Sequence, residues 1–284
     1  MREDAFRGQV VIVTGASAGI GQALAMQLAR QGAKVAIAAR RADRLEQIAA
    51  ECRALGAEDL VVPTDVTDEA QCKALVEKTV AEFGRLDMLI NNAGLAVVAL
   101  FEEFPDLNLF RQAIDVNFYG AVYCTYYALP YLKQARGRIV AISSLAGKTA
   151  LPYNAVYCAS KYGMHGFYDS LRMELYRHGV GVTVICPYWV ATEFHAAQLN
   201  KDGVPRGAAR GRDMYTAKTM SAERCAEITL RAAYKRRREV LMGPGALGVW
   251  LKVLAPATLD WAVVKLFLEP VIRRARAAQA KSKP

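Results

Sequence analysis

The 284 residues are 53% hydrophobic and 23% charged, a balance that fits one large globular unit with a sizeable core and argues against wholesale disorder. The formal net charge of +10 is unevenly placed, with 18 Lys and Arg against 7 Asp and Glu from Lys201 onward and 19 against 20 before it. No stacking platform or reading helix accompanies that surplus, so nucleic acid is not the expected partner. Six cysteines, Cys52, Cys72, Cys124, Cys158, Cys186 and Cys225, stand scattered with no CxxC pair, which predicts reduced thiols in the cytoplasm and no metal centre.

In chain order, the opening MREDAFRGQVVIVTG runs straight into a strand over 9–14, without the pattern of a secretory leader. A helix over 19–31, a strand over 34–39, a helix over 42–55, a strand over 60–63 and a helix over 68–83 follow. Thr67-Asp68-Glu69 marks the start of the last of these and Gly84 its end. The alternation continues with strands over 88–91, 138–143, 181–186 and 239–242 and helices over 109–134, 156–178 and 222–235. Short Val- and Ile-rich strands between amphipathic helices predict an α/β fold: a doubly wound, Rossmann-like, mainly seven-stranded parallel sheet with helices on both faces. The sheet unit is expected to span 1–243.

Two stretches leave the rhythm. Residues 188–216 carry Gly203, Pro205, Gly207 and Gly211 after a strand's C-terminal end, the edge where loops cover ligands, and are expected to form a substrate lid; a plain surface insertion is the alternative. Residues 244–284 are apolar, then basic, and are expected to be an extension rather than a domain. Lys252, Pro256, Asp260 and Lys265 interrupt the apolar part, so no spanning helix is predicted. Trp250, Trp261 and Phe267, followed by Arg273, Arg274 and Arg276, suit peripheral contact with an anionic membrane surface, or equally burial against this domain or a second subunit.

The chemistry starts at Thr14-Gly15-Ala16-Ser17-Ala18-Gly19-Ile20-Gly21. Between a strand and a helix, missing side chains permit a tight turn and close approach of a pyrophosphate, which the helix N-terminus attracts. The next strand ends Ala38-Ala39-Arg40-Arg41 where an NAD site would place a carboxylate on the ribose; Arg40 there complements a 2′-phosphate, so NADP(H) is expected over NAD(H), with Arg41 and Arg44 as auxiliaries. Tyr157 and Lys161 sit one helical turn apart on one face. A neighbouring ammonium stabilises phenolate and brings a phenol of pKa about 10 toward use in proton transfer. Ser144 stands at a strand's C-terminal edge, placed to hydrogen-bond a substrate oxygen as charge develops. The histidines His165, His178 and His195 share no metal-ligand spacing and are expected to be structural, with His195 in the lid as the one candidate for substrate contact.

Taken together and in order, TGASAGIG, Asn91-Asn92-Ala93-Gly94, Asn117, Ser144, Tyr157 and Lys161 resemble the short-chain dehydrogenase/reductase family over about Gly8 to Gly243. The resemblance implies a catalytic set of Asn117, Ser144, Tyr157 and Lys161. It implies further that Gly15, Ser17, Gly19, Ile20 and Gly21 meet the cofactor, that Asp65 and Val66 border adenine, and that Asn91, Ala93 and Gly94 line the cleft. Lys161 would bind the nicotinamide ribose, Val190 and Thr192 the carboxamide, and Asn117 a water linking Lys161 to solvent. One departure stands out: Pro187-Tyr188 replaces the usual Pro-Gly and is expected to reshape the pocket.

The expected activity is hydride transfer between NADP(H) and a carbonyl/alcohol pair, on a lipophilic substrate, by a homodimer or homotetramer paired through the helices around 109–134 and 156–178. The alternatives are a nucleotide-binding scaffold without turnover and an epimerase or dehydratase using transient oxidation.

Overall fold

The computed structural model describes residues 4–207 and 219–270. Strands β1 (Val10–Thr14), β2 (Lys34–Ala39), β3 (Asp59–Pro63), β4 (Met88–Asn91), β5 (Arg138–Ile142), β6 (Gly181–Cys186) and β9 (Glu239–Leu241) form one seven-stranded sheet in the order β3-β2-β1-β4-β5-β6-β9. Each neighbouring pair is parallel. Every residue of β1 and β4 is buried, as strands covered on both faces require. The chain winds outward from β1 to β3 and then in the opposite sense from β4 to β9. The point of reversal between β1 and β4 opens a crevice at the strands' C-terminal ends.

Helices α1 (Gly19–Arg30), α2 (Ala42–Ala54) and the helix Ala222–Tyr234 cover one face. Helices α3 (Glu69–Phe83), α5 (Gly120–Ala135) and α6 (Ala155–Glu174) cover the other. The punctuation of α3 is as its residues dictate: the Asp68 carboxylate accepts from the Gln71 N–H, and Gly84 ends the helix in the left-handed conformation, satisfying donors and acceptors that the helix leaves free.

Three differences from the periodicity have physical causes. The stretch read as one helix over 109–134 is α4 (Asn108–Ile114), a π-helical turn (Asp115–Tyr119) and α5, so an extra residue is inserted around Asn117, and hydrophobic spacing does not register a single-turn insertion. The lid region is partly regular: β7 (Val190–Ala191) pairs in parallel with β8 (Met220–Ser221), a short helix spans Phe194–Ala197, and Leu199 bridges to Val97 and Pro205. Its remainder, 208–216, lies outside the described residues. The tail forms two short helices, Ala246–Leu254 and Pro256–Val263, with Pro256 at the first position of the second, where its missing N–H costs nothing. Arg273, Arg274 and Arg276 lie outside the described residues.

Candidate active site

The loop between β1 and α1 is built by close contact. A Cβ at Gly21 would stand 2.2 Å from the Gly15 carbonyl oxygen, and one at Gly15 would stand 2.8 Å from the Ala93 Cα while φ there is +64°. Only glycine fits either place. The loop after β4 locks onto this turn: Asn92 and Ala93 both donate their backbone N–H groups to the Thr14 hydroxyl, at 3.0 and 3.1 Å, and the Asn92 side-chain amide donates to the carbonyls of Thr14 and Gly15. Neither Thr14 nor Asn92 stands out in the sequence as a site residue, because their work is to join two loops distant along the chain.

Helix α1 begins here with no side-chain cap and no acidic residue in its first turn, leaving positively polarised N–H groups at its mouth, where Ser17, Gly19 and Ile20 lie. A Cβ at Gly19 would meet the Thr192 methyl at 3.0 Å, so the segment after β6 closes onto the glycine turn. This cradle, with donors and no carboxylate inside it, fits a dinucleotide's pyrophosphate.

Arg40 is exposed at the end of β2, and the guanidinium that reaches the loop is that of Arg41. Its Nη2 donates to the Ser17 Oγ at 3.0 Å and its Nε to the same atom at 3.3 Å. Glu193 stands 3.7 Å from Arg41 and 3.8 Å from Arg44, so the three form a charged rim across the cleft. Side chains alternate about a strand end, and adjacent arginines cannot be ranked by sequence.

Several expected contacts are redirected. Asn91 is buried and turns into the core, donating to Thr125 Oγ1 at 2.9 Å and Tyr168 Oη at 2.8 Å; on a strand its side chain faces away from that of Asn92, and Asn92, not Asn91, braces the cleft. The Asp65 carboxylate accepts from the Thr67 N–H and hydroxyl at 3.0 and 2.8 Å. Val66 is buried beside Gly120, at whose position a Cβ would stand 2.8 Å from it. His195 is also buried, its Nε2 3.0 Å from the Val190 carbonyl oxygen and its Nδ1 3.3 Å from Gln198 Nε2. Both ring nitrogens are thereby engaged, and burial lowers its pKa: the ring holds the lid together rather than facing a ligand. Val190 is buried and Thr192 half-buried beside it.

The four residues of the candidate catalytic set converge at the C-terminal edge of β5. Ser144 follows that strand and its hydroxyl accepts from the Ala146 N–H at 3.1 Å. Tyr157, on the first turn of α6, is half-buried, and burial pushes its pKa up to about 12 while interaction with Ser144 pulls the other way. Lys161 is buried, its Nζ 5.7 Å from the centre of the Tyr157 ring. It donates to the Ile142 carbonyl at 2.9 Å and the Met164 sulfur at 3.5 Å, and burial lowers its pKa to about 8.

The expectation of an acidified phenol is therefore corrected for this geometry: desolvation outweighs the ammonium, whose proton is directed to Ile142 rather than to the phenol. Asn117 is fully buried on the π-turn; its amide donates to Ser160 Oγ and the Leu95 carbonyl, each at 2.8 Å, and its oxygen accepts from the Leu95 N–H at 2.7 Å. A Cβ at Gly94 would stand 3.4 Å from Asn117 Oδ1 and 3.9 Å from Lys161 Nζ, which ties this cluster to the rim of the glycine-lined cleft.

Around the phenol the walls are aromatic: Phe194 lies 6.2 Å from the Tyr157 ring, centre to centre. Tyr188 turns away from the cleft toward the tail, where Cβ atoms at Gly243 and Gly245 would come within 2.9 and 2.7 Å of it. Two glycines thus accommodate the ring that stands in place of the usual glycine. Behind Lys161, His165 Nε2 is 3.6 Å from Cys186 Sγ and His165 Nδ1 is 3.4 Å from Glu239, whose carboxylate is paired with Lys148 at 2.7 Å. Burial and Lys148 lower the His165 pKa to about 4. The ammonium satisfies the carboxylate of a trio that no sequence spacing brings together.

A sequence profile described as short chain dehydrogenase matches residues 9–203. The 11-beta-hydroxysteroid dehydrogenase-like 4A of Arabidopsis thaliana is 45% identical over 181 residues, 63% of this chain and 60% of the relative. The 11-beta-hydroxysteroid dehydrogenase of Pinus massoniana is 36% identical over 274 residues, 94% of this chain and 76% of the relative. The chain thus spans less than two thirds of the length of the Arabidopsis relative. A crystal structure of a short chain dehydrogenase/reductase from Burkholderia phymatum in complex with NAD superimposes with a TM-score of 0.79 at 27% identity, covering 91% of this chain and 96% of that one. With the profile running from β1 into the lid, the chain belongs to the short-chain dehydrogenase family.

Proposed function

We propose that the chain is an NADP(H)-dependent oxidoreductase that interconverts a carbonyl and a secondary or primary alcohol, with Tyr157 as general acid and base. The observation that carries this reading is the convergence of Ser144, Tyr157, Lys161 and Asn117 beside Gly94, where the glycine-lined cleft ends. The working unit is residues 1–243, with 244–284 as an appendage. Six buried, unpaired cysteines suit the reducing cytoplasm.

Gly15, Ser17, Gly19, Ile20 and Gly21 would hold the pyrophosphate, and the backbone of Asp65 and Val66, whose side chains are committed elsewhere, would border the adenine. Ala93 and Gly94 would form the floor, Lys161 would bind the ribose, and Val190 and Thr192 the carboxamide. Arg41 and Arg44, with Arg40, offer guanidinium groups that match a 2′-phosphate. Bound there, nicotinamide supplies or accepts the hydride and, when oxidised, brings a positive charge to the pocket. At neutral pH the phenol of Tyr157 is protonated and donates its proton to the carbonyl oxygen during reduction. Ser144 hydrogen-bonds the same oxygen as negative charge gathers on it. Lys161 is cationic below about pH 8 and stabilises the phenolate left behind. Asn117, its side chain committed to Leu95 and Ser160, would help hold a water linking Lys161 to solvent.

Phe194 beside the Tyr157 ring suits a bulky lipophilic substrate, and the plant relatives are named for hydroxysteroids. Tyr119, Tyr126, Met173 and Tyr176 are exposed on the α5 and α6 side, as pairing of two copies through those helices would need. The test is oxidation of NADPH and of NADH with steroid, retinoid and acyl-chain ketones, beside Tyr157→Phe. Turnover with NADPH that Tyr157→Phe abolishes, with cofactor binding kept, is expected. Tight cofactor binding without turnover on the whole panel would identify a scaffold instead.

A further inference from the structure

The helix Ala246–Leu254 reverses the usual orientation of a surface helix. Its one charged side chain, Lys252, points inward, donating to the Lys148 carbonyl at 3.1 Å and to the Tyr162 hydroxyl, with its Nζ 4.5 Å from the centre of the Tyr162 ring. Val249, one turn away, packs on the core. The outward side carries Leu247, Trp250 and Leu254, spaced three and four residues apart, with Val253 beside them, at 74, 61, 80 and 73% exposure. Trp261 and Leu266, 64 and 69% exposed, extend the apolar surface along the next helix and the π-helical turn Val264–Leu268. Single exposed apolar side chains are ordinary on protein surfaces; a run of this kind is not.

We propose that this face docks on an anionic lipid bilayer, with both helices lying in the headgroup plane. No helix among the described residues is long and apolar enough to cross a membrane, which fits a chain that lies on the surface rather than spans it. By sequence, segments 208–218 and 271–284 are mostly small or charged, with Met214, Tyr215, Val271 and Ile272 as their large apolar residues, too few to cover the patch. Residues 271–284 carry five Lys and Arg and no Asp or Glu, tethered directly to the apolar surface. A negatively charged bilayer attracts both features, whereas a second copy seated on this face would bring two such basic segments together.

The placement also orients the molecule. The helix starts after the turn that receives the Tyr188 ring, and a Cβ at Gly245 would stand 2.9 Å from Leu145, the neighbour of Ser144. Docking would therefore set the substrate end of the cleft beside the lipid.

The test is co-sedimentation of the full chain with phosphatidylcholine–phosphatidylserine vesicles and with pure phosphatidylcholine vesicles. Wild type is expected to sediment with the former, and Trp250→Ser combined with Trp261→Ser to lower the partition coefficient about tenfold or more. Replacing Arg273, Arg274 and Arg276 by Gln is expected to remove the preference for phosphatidylserine and its salt dependence. Melting temperature and NADPH binding, read alongside, should not move, since both tryptophans are exposed. Wild type left in the supernatant with phosphatidylserine vesicles, or a double serine variant that sediments like wild type, would overturn the proposal. So would light scattering in which the serine substitutions dissociate an oligomer, for then a second copy covers the face.

Discussion

Replacing Lys161 with methionine separates the cost of burying an ammonium from its use in chemistry. Burial moves the Lys161 pKa from 10.5 to about 8, which corresponds to about 3 kcal/mol of stability withheld while both folded and unfolded chains are charged. Below about pH 8 that cost is fully present. Between about pH 8 and 10.5 the unfolded chain holds a proton that the folded chain has shed, so stability rises with pH, and above 10.5 the cost is gone. Methionine fills similar space without charge and loses the hydrogen bond to Ile142, about 1 kcal/mol. Lys161→Met is therefore expected to be about 2 kcal/mol more stable than wild type at pH 7, with the advantage gone by about pH 10, while turnover falls by about 10² or more. Urea unfolding of both proteins at the two pH values reads the difference directly, and cysteine and tyrosine titrations common to both cancel. A variant less stable than wild type at pH 7, by an amount that does not change with pH, would refute the reasoning.

Ser144→Ala is expected to lower turnover by about 10²–10³ while leaving the dissociation constant for NADPH near that of wild type, measured by single-turnover kinetics and cofactor titration. In Gly21→Ala the new methyl would stand 2.2 Å from the Gly15 carbonyl, so calorimetric titration should find NADPH binding abolished and melting should show a loss of about 1–3 kcal/mol. Arg41→Gln should weaken NADPH about tenfold and leave NADH nearly unchanged. Glu193→Gln, which frees Arg41 and Arg44 from a competing carboxylate, should tighten NADPH about threefold; equal effects on both cofactors in either variant would place the 2′-phosphate elsewhere.

The sheet was legible because strands buried on both faces read as short Val and Ile runs between helices of regular period, and all seven strand starts lie within one residue of where those runs begin, as β3 does at Asp59. The glycine turn and the Tyr157–Lys161 pair were legible because each is local: a turn of adjacent residues and two side chains one helical turn apart. What escaped is long-range. Asn92 to Thr14, Arg41 to Glu193 and Lys252 to Tyr162 join residues far apart in sequence, and no periodicity encodes such contacts. The direction of Asn91 into the core and of Asn92 toward the cleft depends on phase at the end of β4, which a one-residue ambiguity reverses. The π-turn that carries Asn117 hides inside an otherwise helical pattern.

Thr14 and Asn92 make the nucleotide grip a single jaw. One hydroxyl and one amide bolt the turn after β1 to the loop after β4, so the cradle is assembled before anything enters it, and occupation need not draw on binding free energy to order backbone. The segment after β6 sits outside that bolt and meets its neighbours at separate points: Thr192 against Gly19, Glu193 beside Arg41 and Leu199 against Val97. Residues from Asn200 to Gly207 can therefore drift in shape and polarity while the Thr14–Asn92 bolt stays as it is.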